Sequence, residues 1–281
     1  MSKIKIITDS TSDIPRNIIE KYDITVLPLT VLFGEEEYKD WVDITPSDFF
    51  KRMRETEKLP TTSMVTPNEF SKAYETYLKE YDEIISIHLS SNASGTYNSA
   101  LLAKEMTNKD KIFVIDTKNY TYGYGQFVVE AAKMASDEKS SSEIIEKLKY
   151  FNENLKTLFV VDTLEYLKKG GRLSATKATI GTLLNLKPIL TVKEGKIIAI
   201  DKARGFKKAL KRIAEIIQEE GSDLKDQILK VKVGHADNYE HLEIFKNVLE
   251  ENFGKCQFEE FEVGCVIGVY CGPGTVVIHY F

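Results

Sequence analysis

The sequence has few cysteines and no long apolar run, and both features narrow the class of protein. Its three cysteines, Cys256, Cys265 and Cys271, are odd in number and form no CxxC pair. This pattern favours reduced, buried thiols over a disulfide framework or a zinc site. No segment approaches the ~18 consecutive apolar residues of a membrane-spanning helix. The chain begins MSKIKIITDSTSD, which predicts a strand and a polar turn rather than a signal segment. We therefore expect a cytoplasmic protein.

An excess of positive charge is also missing. The chain has 38 Lys and Arg residues against 43 Asp and Glu residues, for a formal net charge of −5. Proteins that bind nucleic acid or anionic membranes usually depend on a basic surface. The composition therefore disfavours a nucleic-acid partner and integral membrane contact, and leaves room only for transient contact with a membrane surface.

The common catalytic and nucleotide-binding motifs are absent too. There is no GxxxxGK[ST] loop, no HExxH, no GxSxG, and no GxGxxG directly after a strand. His88 lies in an apolar strand and is expected to be a core residue, whereas His235 ends a strand as either a capping or a site residue. No Ser or Cys has a base nearby in sequence that would identify it as a nucleophile. We expect no catalytic residue, no metal, and no cofactor beyond a bound ligand.

The apolar pattern that is present predicts an α/β fold with two domains. A chain of 281 residues that is 42% hydrophobic exceeds the usual single-domain size. Residues 1–155 show buried strands at 3–8, 24–33, 83–89 and 111–115 separated by helices, which predicts a Rossmann-like parallel sheet. Residues 156–281 alternate hairpins and helices, including a strand at 266–270, and predict a mixed or antiparallel α+β domain.

Hydroxyl-rich segments stand out in the first half. Thr8 to Thr11 lie at the carboxyl end of the first strand, and Ser90 to Thr96 precede a helix that Ser94 or a neighbour is expected to cap. Thr61, Thr62 and Ser63 are predicted to form a loop outside any regular element. Hydroxyls and free N–H groups at a helix N-terminus favour a carboxylate or a phosphate. The alternative is that these hydroxyls only cap their helices.

In the second half of the sequence, an arginine follows two glycines. Gly170 and Gly171 permit a tight reversal that presents Arg172, and Ser174 is placed to cap a following helix. This arrangement either faces an anion or is simply a polar turn. A hairpin is then predicted to turn at Glu194-Gly195, followed by a basic run over 202–212 that is either a solvated helix face or a docking surface.

Several motifs together resemble the DegV family, bacterial fatty-acid-binding proteins that present their ligand to a fatty acid kinase. The resemblance covers nearly the whole chain. The matching segments are TDST at 8–11, the Thr-Ser loop at 61–63, LSSNASGTYNS at 89–99, YLKKGGRLS at 166–174 with LLNLKPIL at 183–190, RGFKKAL at 204–210, HADN at 235–238 and GPGT at 272–275.

This resemblance implies a function that the residues alone do not give. A long-chain fatty acid such as palmitate would lie in a buried tunnel between the two domains, and a separate ATP-dependent kinase would convert its carboxylate to an acyl phosphate. By similarity Thr62 and Ser94 hold the carboxylate. The neighbouring hydroxyls are further candidates, namely Thr61, Ser63 and Ser91. Arg172 and Arg204 match family arginines that surround the site mouth and meet the kinase.

The chain departs from the family pattern at two positions. The Thr-Ser loop continues with Met64-Val65 instead of Gln-Pro, and Tyr270 replaces the His two positions before GPG. A Tyr hydroxyl donates a hydrogen bond but carries no charge near neutral pH. Tyr270 is expected to lie at the site mouth or kinase contact, where His279 is a candidate to compensate. The residues by themselves also leave open a hydroxyl-based enzyme that acts on a small anionic or acyl substrate.

Overall fold

A computed structural model describes residues 2–56, 58–108, 110–174, 186–224 and 229–281. The helix predicted after Ser174 lies outside the described residues. The described chain groups into two compact units, the first formed by 1–45 with 60–154 and the second by 46–59 with 155–281. Residues 46–59 thus group with the C-terminal part of the chain. The predicted division into 1–155 and 156–281 had placed them in the first domain.

The first unit contains the following strands and helices: β1 Ile4–Asp9, α1 Arg16–Lys21, β2 Thr25–Leu27, β3 Thr30–Phe33, β4 Glu36–Lys39, β5 Thr61–Ser63, α3 Pro67–Tyr77, β6 Glu83–His88, α4 Thr96–Met106, β7 Ile112–Asp116, α5 Thr121–Ser136 and α6 Ser141–Asn154. The second unit contains α2 Pro46–Glu55, β8 Lys156–Val160, α7 Glu165–Lys169, β9 Leu186–Lys193, β10 Lys196–Arg204, α8 Phe206–Glu219, β11 Val231–His235, α9 Tyr239–Phe253, β12 Phe258–Glu262, α10 Cys265–Cys271 and β13 Val276–Tyr280.

The first unit is built on a parallel sheet, as the apolar strands predicted. Its four strands lie in the order β2-β1-β6-β7, and every neighbouring pair is parallel. Strand β1 is buried at all six positions, which is typical of a parallel sheet covered on both faces. A separate antiparallel sheet has the order β4-β3-β5.

The second unit is built on a mixed sheet in the order β10-β9-β8-β13-β11-β12. Among the strand pairs that the structure describes in this sheet, only β11 and β12 are parallel, so the predicted α+β character is confirmed. Helices α8 and α9 pack their apolar faces on one side of this sheet and share a core with β8, β11 and β13. The hairpin between β9 and β10 turns at Glu194 and Gly195, both with positive φ, as predicted.

Three predicted elements were wrong. The strand expected at 24–33 is two strands in different sheets, divided at Pro28, which has no N–H to continue the ladder. Thr61–Ser63 is strand β5 instead of a loop, because it pairs with β3. The strand expected at 266–270 is helix α10. A short apolar run does not distinguish a buried strand from a buried helix.

None of the described helices is both long and apolar enough to cross a membrane.

Candidate functional site

Met64 joins the two hydroxyl-rich segments that the sequence predicted separately. It follows β5 directly, and a Cβ placed on Gly95 would lie 2.4 Å from its sulfur atom. The Ser99 hydroxyl of α4 also donates to the Met64 sulfur at 3.7 Å. Thr62 is half-buried on β5, where it pairs with Val31. The end of β5 therefore packs against the first turn of α4.

Ser94 contributes to the N-terminus of α4, a helix that was predicted to follow Thr96 and begins at Thr96 itself. The capping position is Gly95, which has no side chain to cap with. The Ser94 hydroxyl nevertheless accepts the Thr96 N–H at 3.2 Å and lies 2.9 Å from the Thr96 hydroxyl. Ser94 thus satisfies one N–H group of the first turn while remaining half-buried. This arrangement suits an anion that accepts from hydroxyls at a helix N-terminus.

Ser91 is engaged elsewhere. Its hydroxyl donates to Asp116 at 2.6 Å, and its N–H donates to the same carboxylate at 3.2 Å. The Lys118 N–H donates to Asp116 at 3.0 Å. Asp116 ends β7, and nothing local in the sequence indicates this contact. A ligand carboxylate could accept from Ser91 only if the serine first released Asp116.

A chain of buried hydrogen bonds connects β1, β6 and α3. The Tyr74 hydroxyl donates to Ser86 at 2.9 Å, Ser86 lies 2.7 Å from His88 Nε2, and His88 Nδ1 lies 2.9 Å from Asp9. The set resembles a Ser-His-Asp catalytic triad in residue type and spacing. All four residues are completely buried, however. In this arrangement Ser86 is out of reach of any substrate.

The segment Thr8 to Thr11 is tied into the same interior. Asp9 accepts from the Thr11 N–H at 3.1 Å, from the Thr11 hydroxyl at 2.6 Å and from the Tyr124 hydroxyl at 2.9 Å. Thr8 donates to the Ile87 carbonyl at 2.8 Å. Burial, with the Asp9 charge second, raises the pKa of Tyr124 well above its usual range. These contacts favour the alternative in which this segment serves internal capping.

Three strained residues meet beside this segment. Asp13, Trp41 and Thr121 each have positive φ, at 47°, 63° and 48°. The Thr121 hydroxyl donates to one Asp13 oxygen at 2.5 Å, and the Trp41 indole N–H donates to the other at 3.3 Å. Non-glycine residues in this backbone region are uncommon and often occur near functional sites. Trp41, whose indole donates to Asp13, is 43% exposed.

In the second unit, Arg172 is held by the turn that presents it. Gly171 has φ +70°, and the Arg172 N–H donates to the Leu167 carbonyl at 3.0 Å. One guanidinium N–H donates to the Gly170 carbonyl at 2.6 Å, and the guanidinium carbon lies 4.6 Å from the centre of the Tyr270 ring. The structure therefore brings Arg172 and Tyr270 together. Both were predicted to lie at the site mouth or kinase contact.

Arg204 and His279 occupy very different environments. Arg204 ends β10 and is exposed just before α8. His279 is 1% exposed, lies 2.8 Å from the Thr157 hydroxyl and stacks on Phe261. Burial, with the Lys232 charge second, lowers the pKa of His279 to about 3. A buried ring that is neutral near pH 7 argues against a role for His279 at the mouth.

Within the described residues, no group of three or more His, Cys, Asp or Glu side chains is placed to hold a metal ion. The three cysteines, all of them among the described residues, are buried and form no disulfide.

Together the sheets define a two-unit α/β protein in which hydroxyl side chains lie at the N-terminus of α4. Residues 3–281 match the DegV family, whose description reads "Uncharacterised protein, DegV family". The chain belongs to the DegV family.

Its relatives are similar over their full length. A DegV domain-containing protein of Caldanaerobacter subterraneus is 40% identical over 280 residues, which is 100% of this chain and 99% of the relative. The structure of a DegV family protein from Thermus thermophilus, described as showing fatty acid binding, superposes with a TM-score of 0.90 at 33% identity, covering 100% of this chain and 99% of that one. DegV from Bacillus subtilis, described as a fatty acid binding protein, gives a TM-score of 0.88 at 33% identity, covering 100% of both chains.

Proposed function

We propose that this protein binds a long-chain fatty acid, such as palmitate, and presents its carboxylate to a separate fatty acid kinase for acyl-phosphate formation. The observation that carries the proposal is the packing of the Thr62 segment against the N-terminus of α4, next to Ser94. Two solved relatives with the same fold are described as binding fatty acids.

The two ends of a fatty acid would contribute differently to binding. Each buried methylene group stabilises the complex by ~0.8 kcal/mol, so the tail supplies most of the affinity. The carboxylate would accept hydrogen bonds from the Thr62 and Ser94 hydroxyls near the positive end of α4, which fixes its orientation. Thr61 and Ser63 are exposed neighbours on β5 and secondary candidates. Ser91 ranks below them because of its bond to Asp116.

In this proposal the kinase catalyses the transfer of the phosphoryl group from ATP to the carboxylate. The sequence contains no GxxxxGK[ST] loop, so we assign ATP binding to the partner. Exposed Arg204 and half-buried Arg172 are the proposed kinase contacts. Their charges would steer an acidic partner surface, and a guanidinium suits bidentate contact with a phosphoryl group. Ser86 does not support the alternative of a hydroxyl-based enzyme, because this serine is completely buried.

The proposal is tested by reconstitution. The protein is loaded with palmitate and incubated with Mg-ATP and a fatty acid kinase from a bacterium that contains DegV proteins. Acyl phosphate is then trapped with hydroxylamine and measured by mass spectrometry. We expect the acyl hydroxamate only when all components are present. Arg172→Ala and Arg204→Ala should keep their palmitate and form the product more slowly, with a rate that falls as salt rises.

Two results would count against the proposal. One is an absence of palmitate binding. The other is hydrolysis of p-nitrophenyl acyl esters by the protein alone that is lost in Ser94→Ala, which would support the enzyme alternative.

A further inference from the structure

Helices α7 and α10 interlock through two tyrosine-glycine contacts. A Cβ on Gly170 would lie 2.4 Å from the Tyr270 ring, and a Cβ on Gly272 would lie 2.3 Å from the Tyr166 ring. Each helix thus ends at a glycine that accepts a tyrosine from the other. Because the ring of Tyr270 packs directly on the backbone of Gly170, its position is fixed relative to the turn that carries Arg172.

The same Tyr270 ring supports the Arg172 guanidinium. The guanidinium carbon is 4.6 Å from the ring centre, which is within the range of a cation–π contact. Its Nη1 atom donates to the carbonyl of Gly170, the residue on which the ring packs. Ring and carbonyl together restrict a side chain that otherwise has several rotatable bonds.

We propose that Tyr270 is the positioning residue for Arg172, and that its ring face sets the direction in which the guanidinium points during acyl-phosphate formation. This inference rests on the proposed function. The contact uses the ring and not the hydroxyl, so Phe should replace Tyr270. A large side chain without an aromatic ring should not be able to replace Tyr270.

The first test measures the acyl-phosphate rate in the palmitate-loaded protein with kinase and Mg-ATP. Tyr270→Phe should keep the wild-type rate, whereas Tyr270→Leu and Tyr270→Met should lose about 3- to 30-fold, as expected for removal of a cation–π contact. Met fills the space against Gly170 if Leu impairs folding. All three variants should bind palmitate as the wild type does.

A double-mutant cycle separates positioning from a general structural role. If Tyr270 acts through Arg172, Tyr270→Leu should cause no further loss in the Arg172→Ala background. An equal loss in both backgrounds would overturn the proposal, as would wild-type rates in both Tyr270→Leu and Tyr270→Met.

A second readout does not depend on the kinase. The Arg172 Nε–H resonance should be displaced by the ring current of Tyr270 in wild type and Tyr270→Phe, and should return to the position of a free arginine in Tyr270→Leu. Tyr150→Leu is the matched control, since Lys147 lies 5.4 Å from the Tyr150 ring centre. It should leave both the resonance and the rate unchanged.

An Arg172 resonance unaffected by Tyr270→Leu would contradict the contact between the Arg172 guanidinium and the Tyr270 ring. If the wild type forms no acyl phosphate while the resonance responds as expected, the proposed function is wrong, but the contact between Arg172 and the Tyr270 ring is confirmed.

Discussion

At the scale of single residues, the hydroxyls near α4 differ in how strongly the protein already uses them. Ser91 donates to Asp116, whereas Ser94 accepts from Thr96 at the helix N-terminus. When the Thr96 hydroxyl is the donor in its 2.9 Å contact with the Ser94 hydroxyl, Ser94 keeps its own proton to donate to a ligand. This difference is the reason for placing Ser94 above Ser91 as a carboxylate contact.

We predict that Thr62→Ala and Ser94→Ala each weaken palmitate binding by about 1.5–3 kcal/mol, because each change deletes one hydrogen bond to a charged acceptor. Both variants should remain folded, and Ser94→Ala should lose about 1 kcal/mol of stability because the Thr96 N–H loses its partner. Displacement of a fluorescent fatty acid gives the affinities. Thr76→Ala, an exposed hydroxyl change on α3, is the control and should bind normally. Wild-type affinity in both site variants would rule out the carboxylate assignment.

The buried imidazole of His279 gives a prediction about pH. Its folded pKa of about 3 lies far below its ordinary value of 6.5. Above pH 6.5 the ring is neutral in both states. Below it the unfolded chain binds a proton that the folded protein excludes, so stability falls until about pH 3, by at most ~1.4 kcal/mol per pH unit.

We therefore expect the free energy of unfolding in urea to decrease from pH 6.5 to pH 5. His279→Gln should show a shallower decrease, because glutamine does not titrate. The remaining slope includes His235 and His241, whose pKa values are also lowered chiefly by burial. Identical slopes for wild type and His279→Gln would show that His279 does not remain neutral in the folded protein.

At the scale of helices and strands, the contact between α7 and α10 gives a prediction about glycine. Gly272 has φ +73° and no space for a Cβ, whereas Gly171 has φ +70° and no atom of the described residues within 4 Å of a Cβ. Gly171→Ala should cost only the backbone strain, roughly 1–2 kcal/mol. Gly272→Ala should add overpacking against Tyr166, for a total of roughly 2–5 kcal/mol.

Thermal unfolding of the two variants tests this difference. The midpoint of Gly272→Ala should lie clearly below that of Gly171→Ala. Equal midpoints would mean that the Tyr166 ring moves aside without cost and that the two helices are not tightly interlocked.

Local sequence signals predicted the elements that depend mainly on interactions between residues close in the sequence. The strands β1, β6 and β7 coincide with apolar-rich segments of the sequence. The N-termini of α3 and α6 carry reciprocal capping boxes, Thr66 with Glu69 and Ser140 with Glu143. Strand β5 was missed because Thr61–Ser63 is extended only through its pairing with β3. The chain from Asp9 to His88 was missed because these residues are 79 positions apart.

At the scale of the whole molecule, the residues alone indicated an anion-favouring site but not an acyl chain. Apolar residues that line a lipid tail have the same composition and periodicity as a core. The family resemblance supplied this part of the account, and the match over residues 3–281 confirms the family. The bound lipid, its chain length and the kinase partner stay predictions for this chain.

Whether the protein carries a fatty acid is tested most directly by native mass spectrometry of the protein purified after bacterial expression. We predict a complex with one long-chain fatty acid per chain, identified by its mass after denaturation. We also predict that Thr62→Ala and Ser94→Ala release this acid at a lower collision energy. A protein that is recovered empty, and that remains empty after titration with palmitate, would contradict the account.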